Sequence, residues 1–89
     1  MKNIGVYILE SRKNYRYYIG STDNLNRRLK EHNAGRVFST SKTRPLFLKA
    51  FIVCDNLAEA RSSEYRLKKY KRRDIVEKAI KDLIFPWEF

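Results

Sequence analysis

"GVYILESRKNYRYYIG", residues 5–20, begins Gly-x-Tyr from the left and Gly-x-Tyr again from the right, in a chain that has three glycines in 89 residues. Its two ends, "IGVYILE" and "YRYYIGS", are rich in β-branched and aromatic residues and too short for helices. "SRKN" between them predicts a turn, so the pair predicts an antiparallel hairpin. In such a hairpin a mirrored sequence can become a symmetric patch. A register that sets Gly5 opposite Gly20 sets Tyr7 opposite Tyr18, with all four on one face. Glycine inside a strand marks close approach to the backbone, so the patch reads as a shallow floor able to receive a phosphodiester. The plain alternative is an ordinary sheet in which tyrosine serves as a good strand former.

Downstream, residues 24–34 predict a helix capped by Thr22 or Asp23 and ended by Gly35. Leu25 and Leu29 mark its buried stripe, with Arg28 and His32 beside it. "GRVFSTSKTR" predicts a mobile polar loop, and "LFLKAFIVC" after Pro45 a strand. Asn56 with Glu59 forms a capping box for a helix running to about Arg73. Asp74 with Glu77 repeats the device for a last helix that Pro86 closes. The expectation is an α+β fold: a small, three-stranded, mainly antiparallel sheet flanked by three helices, in the order β-β-α-β-α-α. Residues 1–89 are expected to form a single domain, with Phe85, Trp87 and Phe89 of the "FPWEF" ending packed on its own core.

Twenty Lys and Arg against ten Asp and Glu give a formal charge of +10, which points to a polyanionic partner and first of all to nucleic acid. A solubility or scaffold role is the bland alternative. The single cysteine, Cys54, rules out an intrachain disulfide and a cysteine-based zinc site, and its apolar run predicts a buried thiol. A short apolar start broken by Gly5 predicts neither a signal peptide nor a membrane span, so a reducing cytoplasm is the expected location. Oligomeric state is left open.

The chain resembles the GIY-YIG nuclease superfamily. The two tripeptides stand as Gly5-Val6-Tyr7 and Tyr18-Ile19-Gly20. "YIGSTDNLNRRLKEHNAG" is similar to the segment that follows in the small stand-alone bacterial members, and "ARSSEYRLKKYKRRD" carries the Glu followed four residues later by Lys. Val6 replaces the name-giving Ile, and Phe38 stands where relatives often carry Tyr, which puts a hydroxyl contact there in doubt. The resemblance implies a divalent-metal phosphodiesterase acting on DNA, in the class of repair or recombination enzymes. It implies a site of Tyr7, Tyr18, Arg28, His32 and Glu64, with Gly5 and Gly20 structural in the motif. Its implied cofactor is Mg²⁺, with Mn²⁺ an option for the same ligand.

Each implied role meets a physical test. Glu64 is the lone acid between Arg61 and Arg73; one carboxylate suits a hard cation that keeps its waters, and the scattered acids speak for one metal rather than two. Its plain alternative is an ion pair with Lys68 at i+4. Arg28 would put a fixed fork of donors on the scissile phosphate. His32, one turn on, would move a proton near neutral pH or orient a tyrosine hydroxyl. Tyr7 is the implied general base. A free phenol ionises near pH 10, so such a base needs a cation beside it, and which tyrosine serves stays open. Lys13, Arg16, Arg27, Lys30, Arg36, Lys42, Arg44 and Lys68 read as charges that track a phosphate backbone. No base-reading helix with spaced Asn, Gln and Arg is present, so DNA shape or branched and single-stranded ends are expected to be recognised rather than a sequence. The alternatives are a non-catalytic nucleic-acid-binding module of the same fold, and a small interaction protein whose "FPWEF" tail docks a partner.

Overall fold

The computed structural model describes residues 3–88. Its elements are β1 (Gly5–Ser11), β2 (Tyr17–Thr22), α1 (Leu25–Asn33), β3 (Leu46–Val53), α2 (Leu57–Lys69) and α3 (Arg73–Asp82), in the expected order. Short 3₁₀ turns lie at Phe38–Thr40 and Pro86–Glu88. The sheet has three strands, all antiparallel, in the order β2-β1-β3. Among the described residues no helix is long and apolar enough to cross a membrane.

The central strand explains the unbroken apolar run "GVYIL": both of its faces are covered. Val6 and Ile8 face Ala60 and Leu67 of α2 and Val76 of α3. Tyr7 and Leu9 face the other way, toward Leu25 and Leu29 of α1. Ile8 and Leu9 are both fully buried, each worth ~1.5–3 kcal/mol of hydrophobic stabilisation. β2 is an edge strand and its tyrosines stay half-exposed. Cys54 is buried and unpaired, and burial pushes its thiol up from the ordinary range. Phe85 is buried with Trp87 stacked on it at 4.7 Å, as expected for the tail; the expectation for Phe89 lies outside the described residues.

The hairpin register differs from the mirrored one. Tyr7 lies opposite Gly20, Gly5 opposite Thr22 and Tyr18 opposite Leu9. The turn is the cause. The mirrored register leaves only Arg12 and Lys13 as central residues of a two-residue turn, which needs positive φ at one or both and suits Gly or Asn. The chain takes a wider loop instead, in which Tyr15 alone is left-handed (φ 60°) and Ser11 Oγ accepts from the backbone N–H groups of Lys13 and Asn14. A slip of two residues keeps the face, so Tyr7, Tyr18 and Gly20 still point to the same side.

Capping also departs in part. The α1 cap is Asn24, whose side chain accepts from Arg27 N at 3.1 Å, rather than Thr22 or Asp23. Thr22 Oγ1 accepts one step earlier, from Asn24 N, and Asp23 pairs with Arg27. Gly35 (φ 77°) ends the helix as expected. Asn56 caps α2 through Glu59 N at 2.8 Å. That helix stops at Lys69 rather than near Arg73, because Lys71 turns left-handed. Asp74 does not cap α3: the cap residue is Arg72, whose side chain makes no capping bond, and Asp74 pairs with it from the first turn. α3 ends at Asp82 on a left-handed Leu83, before Pro86. The loop of residues 35–44, expected to be mobile, holds the first 3₁₀ turn and buries Thr40 at its base.

Candidate functional site

A groove of about 770 Å³ wraps the open edge of the sheet at β2. Because β2 is an edge, side chains from opposite faces of the sheet can meet around it. Tyr7, Tyr18, Arg28 and His32 line the groove from the α1 side, and Glu64 lines it from α2.

Tyr7 forms the floor, its ring buried and its hydroxyl held at two points. Tyr7 Oη lies 2.9 Å from His32 Nε2, and Arg28 Nε donates to it at 3.3 Å. Gly20 makes room for this phenol: a Cβ there would lie 2.2 Å from Tyr7 Oη. Gly5 has a different task, since a Cβ there would meet the Ile52 carbonyl oxygen at 2.2 Å. The two glycines therefore do not form an open floor. One admits the protein's own phenol, the other the backbone of β3.

His32 is buried against the groove, with Nδ1 2.7 Å from Thr40 Oγ1. Burial, and then the Arg28 charge, lower its pKa to about 4, so it is neutral at pH 7. Of the two expected tasks, orienting the tyrosine hydroxyl fits this environment better than titration near neutrality. The shift has a consequence for stability. The unfolded imidazole binds a proton near pH 6.5 and the folded one only near 4, so the stabilisation is complete above 6.5 and falls as pH drops between them. Urea unfolding should show about 2 kcal/mol lost from this group between pH 7 and pH 5, and a flatter profile for His32→Gln.

Tyr18 is half-exposed, its hydroxyl accepting from Asn14 Nδ2 at 2.9 Å. Arg28 is half-buried and also reaches Glu31 at 3.4 Å. Glu64 Oε1 accepts from Ser21 Oγ at 2.6 Å, and the Lys68 ammonium sits on Oε2. Among the described residues, no three of His, Cys, Asp and Glu converge as a metal-holding group, and Glu64 is the one acid in the groove lining. This donor set, a carboxylate lining the groove with a hydroxyl beside it, fits a hard divalent cation bound mostly by water and substrate oxygens that displaces the Lys68 ammonium.

The basic residues divide. Arg16 and Lys68 line the groove. Lys13, Lys30, Arg36 and Lys42 are exposed outside its lining. Arg27 lies by a second, smaller pocket in an ion pair with Asp23, and Arg44 donates to the Ser41 carbonyl at 2.8 Å. Lys71, Arg72 and Arg73 complete the far wall of the groove. The dense charge of residues 61–73 pointed to that wall without singling them out. Arg73 is fixed there by its guanidinium lying 4.2 Å over the Tyr17 ring and by a bond to the Tyr15 carbonyl. Thr40 and Ser21, which hold His32 and Glu64, carried no pattern in the sequence that could have marked them.

No solved structure matches this chain. A UPF0213 protein of Clostridium perfringens (strain 13 / Type A) is 39% identical over 82 residues, covering 86% of this chain and 87% of that protein. The GIY-YIG catalytic domain matches residues 3–79, a span that holds Tyr7, Tyr18, Arg28, His32 and Glu64 together. By both matches, the chain belongs to the GIY-YIG nuclease family.

Proposed function

We propose that the groove is the active site of a metal-dependent endonuclease that hydrolyses phosphodiester bonds of DNA, choosing its target by structure rather than by sequence. The observation that carries this reading is the meeting, around β2, of Tyr7, Arg28 and His32 with the Glu64 carboxylate from the opposite face of the sheet. Tyr7, in its phenolate form beside the Arg28 guanidinium, takes the proton from the attacking water and becomes the phenol. His32 Nε2 holds the Tyr7 hydroxyl in place, and Thr40 fixes the imidazole ring through Nδ1. Arg28 sets its remaining donors against the charge that develops on the phosphate, an effect commonly worth a few kcal/mol. Tyr18, on the more open side, orients water or a phosphate oxygen. Glu64 would hold Mg²⁺ or Mn²⁺, which when bound supplies Lewis-acid stabilisation of the phosphate charge. Arg16, Lys68, Lys71, Arg72 and Arg73 pair with neighbouring phosphates, and the cytoplasm is the compartment in which the protein would act.

A second reading, a nucleic-acid-binding groove without catalysis, is favoured by one observation. The Lys68 ammonium already neutralises Glu64. Incubation with flap, junction and duplex DNAs, in Mg²⁺ and in chelator, separates the two. Cutting in Mg²⁺ that chelator abolishes is expected; salt-sensitive binding with no cutting in either would favour the second reading.

A further inference from the structure

Phe38 is the most exposed large apolar side chain among the described residues, at 95%. Among the described residues no aromatic or cation contact engages its ring, yet its backbone is firmly placed. It opens the 3₁₀ turn Phe38–Thr40, and its carbonyl accepts from Ser41 Oγ at 3.2 Å. Thr40, two residues on, is buried on His32. Its neighbours Val37 and Ser39 both line the groove, so Phe38 stands at the rim. Along the chain its neighbours carry one sign of charge only. From His32 to Cys54 there is no Asp or Glu, while Arg36, Lys42 and Arg44 belong to the same loop.

An aromatic ring held in water, on a fixed turn, among cations and beside a basic groove suits a ligand that offers a flat apolar face and negative charge together. An unpaired nucleotide is such a ligand: its base stacks on the ring while its phosphates meet the cations. A paired base hides that face within its stack. From these features we propose that Phe38 is a specificity-determining residue. It stacks an unpaired base at the groove rim and directs the enzyme toward DNA with single-stranded character at the cut. This rests on reading the groove as a nucleic-acid site.

The test is fluorescence anisotropy in chelator, so that nothing is cut, with a labelled oligo-dT strand and a labelled duplex of the same length. The proteins are the full chain and its Phe38→Ala, Phe38→Leu and Phe38→Trp variants. Because the ring is exposed, all should fold, which circular dichroism checks. Phe38→Ala and Phe38→Leu should weaken oligo-dT binding by about 5- to 150-fold, the range of base–aromatic stacking, and duplex binding by less than about twofold. Phe38→Trp should bind oligo-dT at least as well as the parent. Equal losses on both DNAs, no loss on either, or full rescue by Leu would overturn the proposal. A parent chain that binds duplex but not oligo-dT would overturn it while leaving the groove a DNA site. A parent chain that binds neither would overturn both.

Discussion

Tyr7→Phe should lower the single-turnover rate of metal-dependent nicking by about 10²–10⁴-fold, the contribution expected of a positioned acid–base group. The substitution deletes one oxygen and keeps the ring, which packs with Leu9 and Leu46 in the cluster under α1. What disappears is the point where His32 Nε2, at 2.9 Å, and Arg28 Nε, at 3.3 Å, converge. His32 is buried, so its Nε2 loses its partner at a cost of roughly 1–3 kcal/mol. A fall in Tm of about 4–8 °C per kcal/mol is therefore expected as well. The two effects separate by temperature. Well below Tm nearly all of the variant is folded, so a purely structural Tyr7 would leave the rate almost unchanged there. Tyr18→Phe provides the comparison: its hydroxyl meets exposed Asn14 rather than a buried pair, and it should lose less. A larger loss for Tyr18→Phe would exchange the roles of the two tyrosines.

The element order was legible because apolar periodicity and caps are local. "GVYIL" is continuous because β1 has two covered faces, and Asn56 caps α2 from within four residues of sequence. The meeting of the site residues was legible through the resemblance. Geometry that depends on turn shape was not. The mirrored tyrosines suggested a symmetric pairing, but Arg12 and Lys13 suit a tight turn poorly, and the wider loop moved the register by two residues. The same limit applies at Asp74, where the spacing of a capping box was present while the left-handed Lys71 set a different start for α3. Thr40 reaches His32 across a loop without periodicity, so nothing in the spacing of residues 35–44 could place it. Basic residues divide for a similar reason: charge points to a polyanionic partner, while topology decides which cations share the groove.

In the proposed site Glu64, across the sheet edge from Tyr7, supplies a function beyond its surface contacts. Those contacts are a bond from Ser21 and an exposed i,i+4 pair with Lys68, the kind that contributes about 0–1 kcal/mol to stability. Glu64→Ala should therefore fold, and should bind DNA at least as well as the parent, because one negative charge leaves a basic groove. Losing several kcal/mol of transition-state charge stabilisation should cost at least about 10³-fold in nicking rate. The direct measurement is nicking of supercoiled plasmid in Mg²⁺ by the parent and by Glu64→Ala, with DNA affinity measured on the same preparations. Nicked plasmid from the parent alone at matched affinity is the expected result; equal nicking by both proteins would contradict a role for Glu64 in the chemistry.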